Sequence, residues 1–500
     1  MRFLAVASLC ICSVLAQANS FYVSTKGDDA NPGTQTAPWR TIQHAADTVR
    51  PGSTVNVRGG IYEERVTINV FGNANDGYVT FRSYPGEIAV LDGGHFTPET
   101  RSGMLVIHNK SYIRVEGFEI RNYRTAEHRL SPLGISVTGG GSHIELLHNN
   151  VHHIENNFQG RDAPGSGGNG FGIAVYGTDA KTPISDLVID GNEVHHLKTG
   201  SSESLVVNGN VTNFHITNNV VHDNNNIGID VIGFERTAPD PAVDQARDGV
   251  VSGNLVYNIT SRGNPAYGND QSSDGIYVDG GTRVLIERNI IHHVDFGIEL
   301  ASEHRTRTTS YITARNNLIY ACNTAGVSIG GYGAERGGTD HCVVINNTLY
   351  GNDTSNTGSG EFQMQFNMTD NLFENNIVYA GARCLMSASK SGPASAGKST
   401  VTLDYNLYFC DSGTAAGTWG WYPANLVGFD KYIQQTGNDR HSRFTDPRFV
   451  DLSKNDFHLR PDSTAVNGGA TSDLPVGEQD LDGSPRVKGG KIDIGCYEKR

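Results

Sequence analysis

Carboxylates recur at matching positions in neighbouring segments of the middle of the chain. Asp230 lies within Gly-Ile-Asp-Val, Asp279 ends Gly-Ile-Tyr-Val-Asp, and Glu299 lies within Gly-Ile-Glu-Leu. In each phrase apolar residues alternate with other types, which predicts short strands whose apolar side chains face inward and whose carboxylates face outward. Oxygen ligands of this kind suit calcium, and a pair of carboxylates can also act as general acid and base.

The predicted strands place these residues on one outer face of consecutive coils. Neighbouring parallel strands are about 4.8 Å apart, so Asp279 and Glu299 become diagonal neighbours at roughly 8 Å between backbones. Asp230 and Glu299 would flank Tyr277 on the same face. The competing interpretation is an ordinary solvated face, on which single acidic residues cost little.

The candidate site residues fall into three groups by the chemistry that their side chains could perform. The catalytic candidates are Asp279, Glu299, His304 and Tyr277. The candidate metal ligands, for calcium, are Asp230 and Asp274. The candidate substrate-binding residues are Tyr176, Arg236, Arg305 and Tyr332.

An internal repeat organises the elements that would position these residues. The phrase Asn-x-apolar-His/Tyr recurs at irregular intervals, and such a repeat predicts a solenoid whose coils bury an apolar row only by stacking. Its asparagines would hydrogen-bond along one corner, and its His and Tyr residues would stack there as structural residues rather than as metal ligands. The phrases begin at Asn149, Asn192, Asn219, Asn254, Asn289, Asn317, Asn347 and Asn376, with a shortened echo at Asn406.

The chain ends predict an exported protein with capping segments. Residues 1–18 combine Arg2, a short apolar run and a small-residue cleavage site, which is typical of a secretory signal peptide. Residues 19–445 would form the parallel β-helix, with a short capping helix over Thr41–Val49, and residues 446–500 a C-terminal cap of the same domain. We therefore expect a secreted, extracellular protein, and a monomer.

Composition limits the partners. The net charge of −14 argues against nucleic acid, and an acidic polymer would require a cation to mediate its binding. No segment after the signal has enough consecutive apolar residues to cross a bilayer. Five cysteines remain after residue 18; Cys322–Cys342 and Cys384–Cys410 are possible disulfides, and buried single thiols are the alternative.

The whole pattern resembles the right-handed parallel β-helix proteins. The opening FYVSTKGDDANPGT and the closing DLDGSPRVKGGKIDIGCYE are typical of exported members. Within that group the chain is most similar to the polysaccharide lyase family 9, or pectate-lyase-like, branch. The family's Asp-Asp-Gly-aromatic-Asp motif would fall on residues 226–230, where Gly228 and Asp230 match. The resemblance implies a calcium-dependent site on an outward parallel sheet.

Three functions remain open at this point, of which the first is favoured and the other two are alternatives. The first is a lyase that cleaves a uronate-containing polysaccharide by β-elimination, with calcium neutralising the substrate carboxylate and His304 or Tyr277 as base. The second is a glycoside hydrolase that uses Asp279 and Glu299 as its carboxylate pair. The third is a glycan-binding β-helix without catalytic activity, since a fold does not fix a function.

Overall fold

The fold is a right-handed parallel β-helix, as the repeat predicts. The structure is a computed structural model that describes residues 20–160, 168–381, 384–388, 400–470 and 474–499. Its strands form three long sheets, and successive strands of each sheet pair in parallel with the next coil. The predicted signal peptide lies outside the described residues.

The sheet that carries the candidate carboxylates is named the site sheet. Its strands are parallel except at the last pair. They are Val66–Ile68, Ser102–His108, Pro132–Gly139, Phe171–Gly177, Leu205–Gly209, Ile229–Ile232, Asp274–Asp279, Phe296–Ala301, Ala325–Ile329, Phe362–Met364, Cys384–Ala388, Thr418–Trp421 and Ala424–Val427.

The sheet that carries the repeated phrase is named the ladder sheet. Its strands are Gly60–Tyr62, Ala89–Asp92, Phe118–Arg121, Asn150–His152, Glu193–His195, Val220–Asn224, Leu255–Ile259, Ile290–Val294, Leu318–Tyr320, Thr348–Tyr350, Ile377–Ala380, Leu407–Cys410 and Arg443–Phe444.

The third sheet connects the other two in every coil. Its strands are Ser20–Val23, Thr54–Val57, Val79–Ser83, Ile113–Glu116, Gly141–Leu147, Ile184–Asp190, Val211–Thr217, Arg247–Ser252, Thr282–Glu287, Thr313–Arg315, Val343–Ile345, Asn371–Glu374 and Val401–Asp404, with Thr308–Ser310, Gly338–Asp340 and Met368–Thr369 beside this path. Two short pairs lie outside the coils, Arg124–Thr125 with Glu155–Asn156 and Phe449–Asp451 with Asp456–Leu459.

Alternation along the strands builds one continuous core. Ile229, Ile276 and Ile298 pair with one another on successive coils, and all three belong to the main buried apolar cluster. Val231, Val278 and Leu300 form a second inward row in the same cluster. The predicted inward positions are therefore confirmed, and the residues between them face away from the core.

The repeated asparagine forms a hydrogen-bonded ladder through the corner before the ladder sheet. Asn254 donates its backbone and side-chain N–H groups to Asn289 Oδ1, at 2.9 Å each. Asn289 in turn donates to Asn317 Oδ1 and to the carbonyl of Val251. The same pattern runs from Asn149 to Asn406, so each buried amide is satisfied by the next coil.

The aromatic residues that follow these asparagines stack on one another, as predicted. Ring centroids are 5.0 Å apart for His152 and His195, 4.9 Å for His195 and His222, and 4.7 Å for His222 and Tyr257. Among the described residues, no group of three or more His, Cys, Asp or Glu is placed to hold a metal ion. The stack therefore contributes packing along the coils.

Helical segments cover the core at its two ends. The helix Ile42–Thr48 buries Ile42, Ala45 and Ala46 at the N-terminal end, as the sequence predicts. At the other end, the helix Phe429–Thr436 places Tyr432 against Trp419, with ring centroids 4.8 Å apart. A 3-10 turn, Leu452–Lys454, lies in the segment that follows. None of the described helices is long and apolar enough to cross a membrane.

The segment after residue 446 lies along the side of the ladder sheet. Phe457 and Ile494 share a buried cluster with Leu318, Ile377 and Leu407, which come from different coils. This segment therefore covers several coils as well as the last one.

The five described cysteines are free thiols. Cys322 and Cys342 are buried separately, and so is Cys410, whereas Cys384 is partly exposed. The predicted Cys322–Cys342 and Cys384–Cys410 disulfides are therefore wrong, and the alternative of single thiols holds. The coils that contain these cysteines are held together by the stacked core and by the asparagine ladder, without disulfides.

Candidate active site

The register of the site sheet brings the predicted carboxylates onto one face. Asp230 pairs with Tyr277, Tyr277 pairs with Glu299, and Glu299 pairs with Ser328 on the next coil. Asp279 pairs with Ala301, so Asp279 and Glu299 are diagonal neighbours, as predicted.

The Gly-apolar phrases in the sequence predict that Asp230 directly follows Ala174 in the outward row, and this prediction misses one coil. The strand Leu205–Gly209 lies between Phe171–Gly177 and Ile229–Ile232, so Val206 rather than Asp230 follows Ala174. Its residues Leu-Val-Val-Asn-Gly do not repeat the Gly-apolar phrase, so that phrase does not indicate this coil.

Loops between the strands enclose this face into a cavity of about 700 Å³, named the acidic pocket. The carboxylates that line it are Glu203, Asp230, Glu235, Asp274, Asp279, Glu299 and Glu303. Asp230 and Asp274 are each only 2% exposed, and Asp279 is 5% exposed. The competing interpretation of an ordinary solvated face is therefore wrong: these positions face away from the core but are covered by loops.

Among the carboxylates that line the acidic pocket, Glu299 accepts the most side-chain hydrogen bonds. Its Oε1 accepts from Gln365 Nε2 at 2.9 Å and from Ser328 Oγ at 3.1 Å. Asp274 also hydrogen-bonds to Glu299. Burial raises the pKa of Glu299 to about 7, and these hydrogen bonds oppose the rise because they stabilise the charged form.

Asp279 lies in a poorer environment for a negative charge. Burial and the nearby charge of Glu303 raise the pKa of Asp279 well above its usual range. The one hydrogen bond that favours its charged form comes from the backbone N–H of Glu303 to Oδ1, at 2.8 Å. His304 Nε2 lies 4.0 Å from Asp279 Oδ2, so the predicted His304 does adjoin the site.

Asp230 and Asp274 carry buried oxygens that lack hydrogen-bond partners. The Oδ1 atoms of both side chains are without a partner in the described part of the chain. Burial raises the pKa of each carboxyl, and neighbouring carboxylates raise it further: Glu203 and Asp279 around Asp230, and Glu299 around Asp274. Such atoms suit a donor from the substrate, or a cation.

The calcium that the family resemblance implies can be tested against these oxygens. Two unpartnered carboxylate oxygens fit calcium's preference for oxygen, but calcium usually takes about six to eight ligands. No group of three or more acidic, His or Cys side chains among the described residues is placed to hold an ion. The described side chains thus do not form a ready calcium site, and calcium at Asp230 and Asp274 stays a prediction.

The predicted tyrosines occupy different positions. Tyr277 and Tyr332 line the acidic pocket, and the guanidinium carbon of Arg336 lies 4.5 Å from the Tyr332 ring centroid. Burial and the charge of Asp279 raise the pKa of the Tyr277 phenol well above its usual range, so it stays protonated at neutral pH. Tyr176 is buried below Arg101, outside the pocket lining.

The predicted arginines lie beside the acidic pocket rather than within it. Arg236 and Arg305 line a separate cavity of about 460 Å³ together with His304 and Arg307. The loops that carry them follow the strands Ile229–Ile232 and Phe296–Ala301 of the site sheet.

Several pocket residues were not predicted from the sequence. Gln363 follows Ser328 in the same outward row, so extending the alternation by one coil would have found it. Glu203 precedes the missed strand. Tyr267 and Arg336 come from loops, where no strand period indicates the direction of a side chain.

Comparison with known proteins agrees with this architecture. The family profile "Pel9A-like, right handed beta helix region" matches residues 21–165, and "Right handed beta helix region" matches residues 243–427. A solved structure described as XylC in complex with xylose superposes with a TM-score of 0.50 at 13% identity, covering 96% of this chain and 99% of that one. At that identity the likeness concerns the fold alone.

Two curated relatives differ in how much of the chain they match. The uncharacterized protein YwoF of Bacillus subtilis is 37% identical over 446 residues, which cover 89% of this chain and 91% of YwoF. The pectate lyase PEL9 of Emericella nidulans is 30% identical over 135 residues, which cover 26% of this chain and 33% of that enzyme.

Proposed function

Since this chain belongs to the family of right-handed β-helix proteins that includes YwoF and that resembles polysaccharide lyase family 9, we propose that it acts on a polysaccharide. We propose further that it hydrolyses glycosidic bonds, with Asp279 and Glu299 as the reacting carboxyls. Exported, pectate-lyase-like proteins act on polysaccharides, and we propose the same location and the same class of substrate here.

One observation supports hydrolysis most directly. Burial raises the pKa of two carboxyl groups on adjacent coils of the acidic pocket, but the opposing hydrogen bonds differ. Glu299 accepts side-chain hydrogen bonds that favour its ionised form, whereas Asp279 accepts one backbone N–H among the described residues and has the charge of Glu303 nearby. Paired groups whose pKa values are separated in this way are suited to acid and base roles.

The proposed reaction uses a water molecule and no covalent intermediate. Asp279 donates its proton to the glycosidic oxygen as the bond from that oxygen to the anomeric carbon breaks. Glu299 accepts a proton from water while the water oxygen bonds to the anomeric carbon. The two backbones lie roughly 8 Å apart, a spacing from which the side chains can reach either of the two carboxyl separations that glycosidases use. The single displacement proposed here inverts the anomeric configuration, and the configuration of the first product tests it.

Elimination on a uronate needs a base for a carbon-bound proton, and no lysine or histidine is among the described residues that line the acidic pocket. Arg336 is the one cationic side chain that lines it among the described residues, and Tyr277 holds its proton. A lyase is the second candidate, because the unpartnered oxygens of Asp230 and Asp274 could receive a substrate group and His304, outside the pocket lining but 4.0 Å from Asp279, could act as its base.

A panel of neutral and uronate-containing glycans, each incubated with and without a chelator, tests both candidates. Hydrolysis predicts new reducing ends without ultraviolet-absorbing products, and activity that survives the chelator. An unsaturated, ultraviolet-absorbing product that the chelator abolishes would instead establish the lyase. Binding of a glycan without either product would leave a glycan-binding protein and would contradict both enzymatic proposals.

A further inference from the structure

A cationic cavity adjoins the acidic pocket. Arg236, Arg305, Arg307 and His304 line a space of about 460 Å³, which we name the arginine cavity. The guanidinium carbon of Arg307 lies 5.0 Å from the Phe234 ring centroid, so a cation–π contact helps to position this guanidinium group.

The three guanidinium groups have no carboxylate partners within the described ranges. Elsewhere arginines pair closely, as Arg58 does with Glu87 at 2.7 Å and Arg315 with Glu287 at 2.7 Å. The one carboxylate that lines the arginine cavity, Asp244, accepts the backbone N–H groups of Arg236 and Ala238 at 2.6 and 2.8 Å. All three arginines are exposed, so in a chain of net charge −14 they form a local positive site that a ligand can reach.

The arginine cavity is placed next to the proposed acid. Its loops leave the site sheet after Ile232 and after Ala301, on either side of the coil that ends at Asp279. His304 lines the arginine cavity while its Nε2 lies 4.0 Å from Asp279 Oδ2. A glycan with its scissile bond between Asp279 and Glu299 can therefore extend from one cavity into the other.

We propose that the arginine cavity binds an anionic group of the glycan, a uronate carboxylate or a sulfate ester, on a sugar next to the scissile bond. Guanidinium groups bind both anions through paired N–H donors. The inference rests on the proposed function only for the position of the scissile bond.

The two cavities together sort the sugar units by charge. The crowded, buried carboxyls of the acidic pocket disfavour any further negative charge there, whereas the arginine cavity attracts an anionic sugar. The preferred substrate is then a chain in which a neutral sugar occupies the acidic pocket and an anionic sugar follows it.

Binding to the Glu299→Gln variant tests this inference without turnover. The probes are an oligosaccharide that alternates neutral hexose and uronate, its carboxyl-reduced counterpart, and a counterpart with sulfate on the reduced unit. Calorimetry should show the carboxylate or the sulfate probe binding about 10–100-fold more tightly than the reduced one, as expected for a charge-assisted hydrogen bond. Preference for one of the two anions identifies the group.

The difference in affinity between the anionic and the reduced probes should disappear when three replacements are added, Arg236→Gln, Arg305→Gln and Arg307→Gln. It should persist when Arg50→Gln is added instead, because Arg50 is an exposed arginine near the N-terminus. An unchanged melting temperature shows that the triple replacement remains folded. Equal affinity for all probes, no binding of any probe, or an anion preference that survives the triple replacement would each overturn the inference. Arginine-dependent binding by a wild type that releases no new reducing ends would instead overturn the proposed hydrolysis alone.

Discussion

Glu299 and Asp279 differ in the donors that surround them, and this difference determines their proposed roles. Ser328, Gln365 and Asp274 hydrogen-bond to Glu299, whereas Asp279 receives one backbone N–H. Hydrogen bonds to a carboxylate favour ionisation, and burial opposes it. The same type of side chain can therefore serve as base at one position and as acid at the other.

Replacing either carboxyl should remove most of the turnover. We expect Glu299→Gln and Asp279→Asn each to lower kcat about 10²–10⁴-fold, because each loses one proton-transfer group. Glu374→Gln is a matched control, since Glu374 is also half-buried with a pKa of about 7 but lies outside the acidic pocket. Full activity in both pocket variants would place the site elsewhere.

The hydrogen bond from Gln365 should set the pH at which the enzyme becomes active. Gln365→Ala removes a donor that favours the ionised form of Glu299, so the pKa of Glu299 rises above about 7. If Glu299 is the base, the ascending limb of kcat/KM against pH moves to higher pH. A limb that stays in place, or moves to lower pH, would contradict that role.

The buried carboxyls should make the fold less stable as pH rises. Burial raises the pKa of Glu203 to about 8 and that of Glu299 to about 7, so the folded state holds protons that the unfolded state has released. Their stabilisation is fully present below an unfolded pKa of about 4.3 and is lost as pH rises through 7 to 8. The melting temperature should therefore fall between pH 5 and pH 8.5, and Glu203→Gln should reduce that fall. An equal fall in the variant would assign the effect to other groups.

At the scale of elements, the asparagine ladder holds the register that aligns the site residues. Asn289 connects three coils, since it accepts from Asn254 and donates to Asn317 and to the Val251 carbonyl. A shift of one residue would turn every site carboxylate into the core. By holding the strand register, the ladder determines which side chains face the acidic pocket.

Asn289→Ala should destabilise the protein by about 3 kcal/mol or more, because several buried polar groups lose their partners at once. The free energy of unfolding from denaturant titration measures this loss. Asn75→Ala, at an exposed turn, should change it by only about 0.5 kcal/mol. Equal effects of the two replacements would show that the ladder adds little stability.

At the scale of the whole molecule, the C-terminal segment stabilises the helix along its side. Phe449, Phe457 and Ile494 cover Ile377 and Leu407 of the ladder sheet. A chain that ends at residue 445 would expose this apolar surface, which favours aggregation. We expect a lower melting temperature and more association in light scattering. A monomeric truncated protein with an unchanged melting temperature would instead make the segment a separate domain.

Local patterns in the sequence were enough to predict the architecture and the outward row. Alternation fixed which side of each strand faces the core, so Ile276 and Val278 lie inside and Tyr277 and Asp279 outside. The repeated Asn phrase determined the stacking, because an amide at one corner of every coil can satisfy its neighbour. Both signals are local periodicities, so a single sequence is enough to reveal them.

The environment of that row depends on the tertiary fold. Loops whose sequences have no period cover Asp230 and Asp279, so these carboxyls lie in a pocket that raises their pKa values rather than on a solvated face. They also brought Arg236 and Arg305, 69 positions apart in the sequence, into one cavity. The period of a strand determines from which face of the sheet a side chain projects. The burial and the charge around that side chain depend on loops whose paths are set by packing between distant coils.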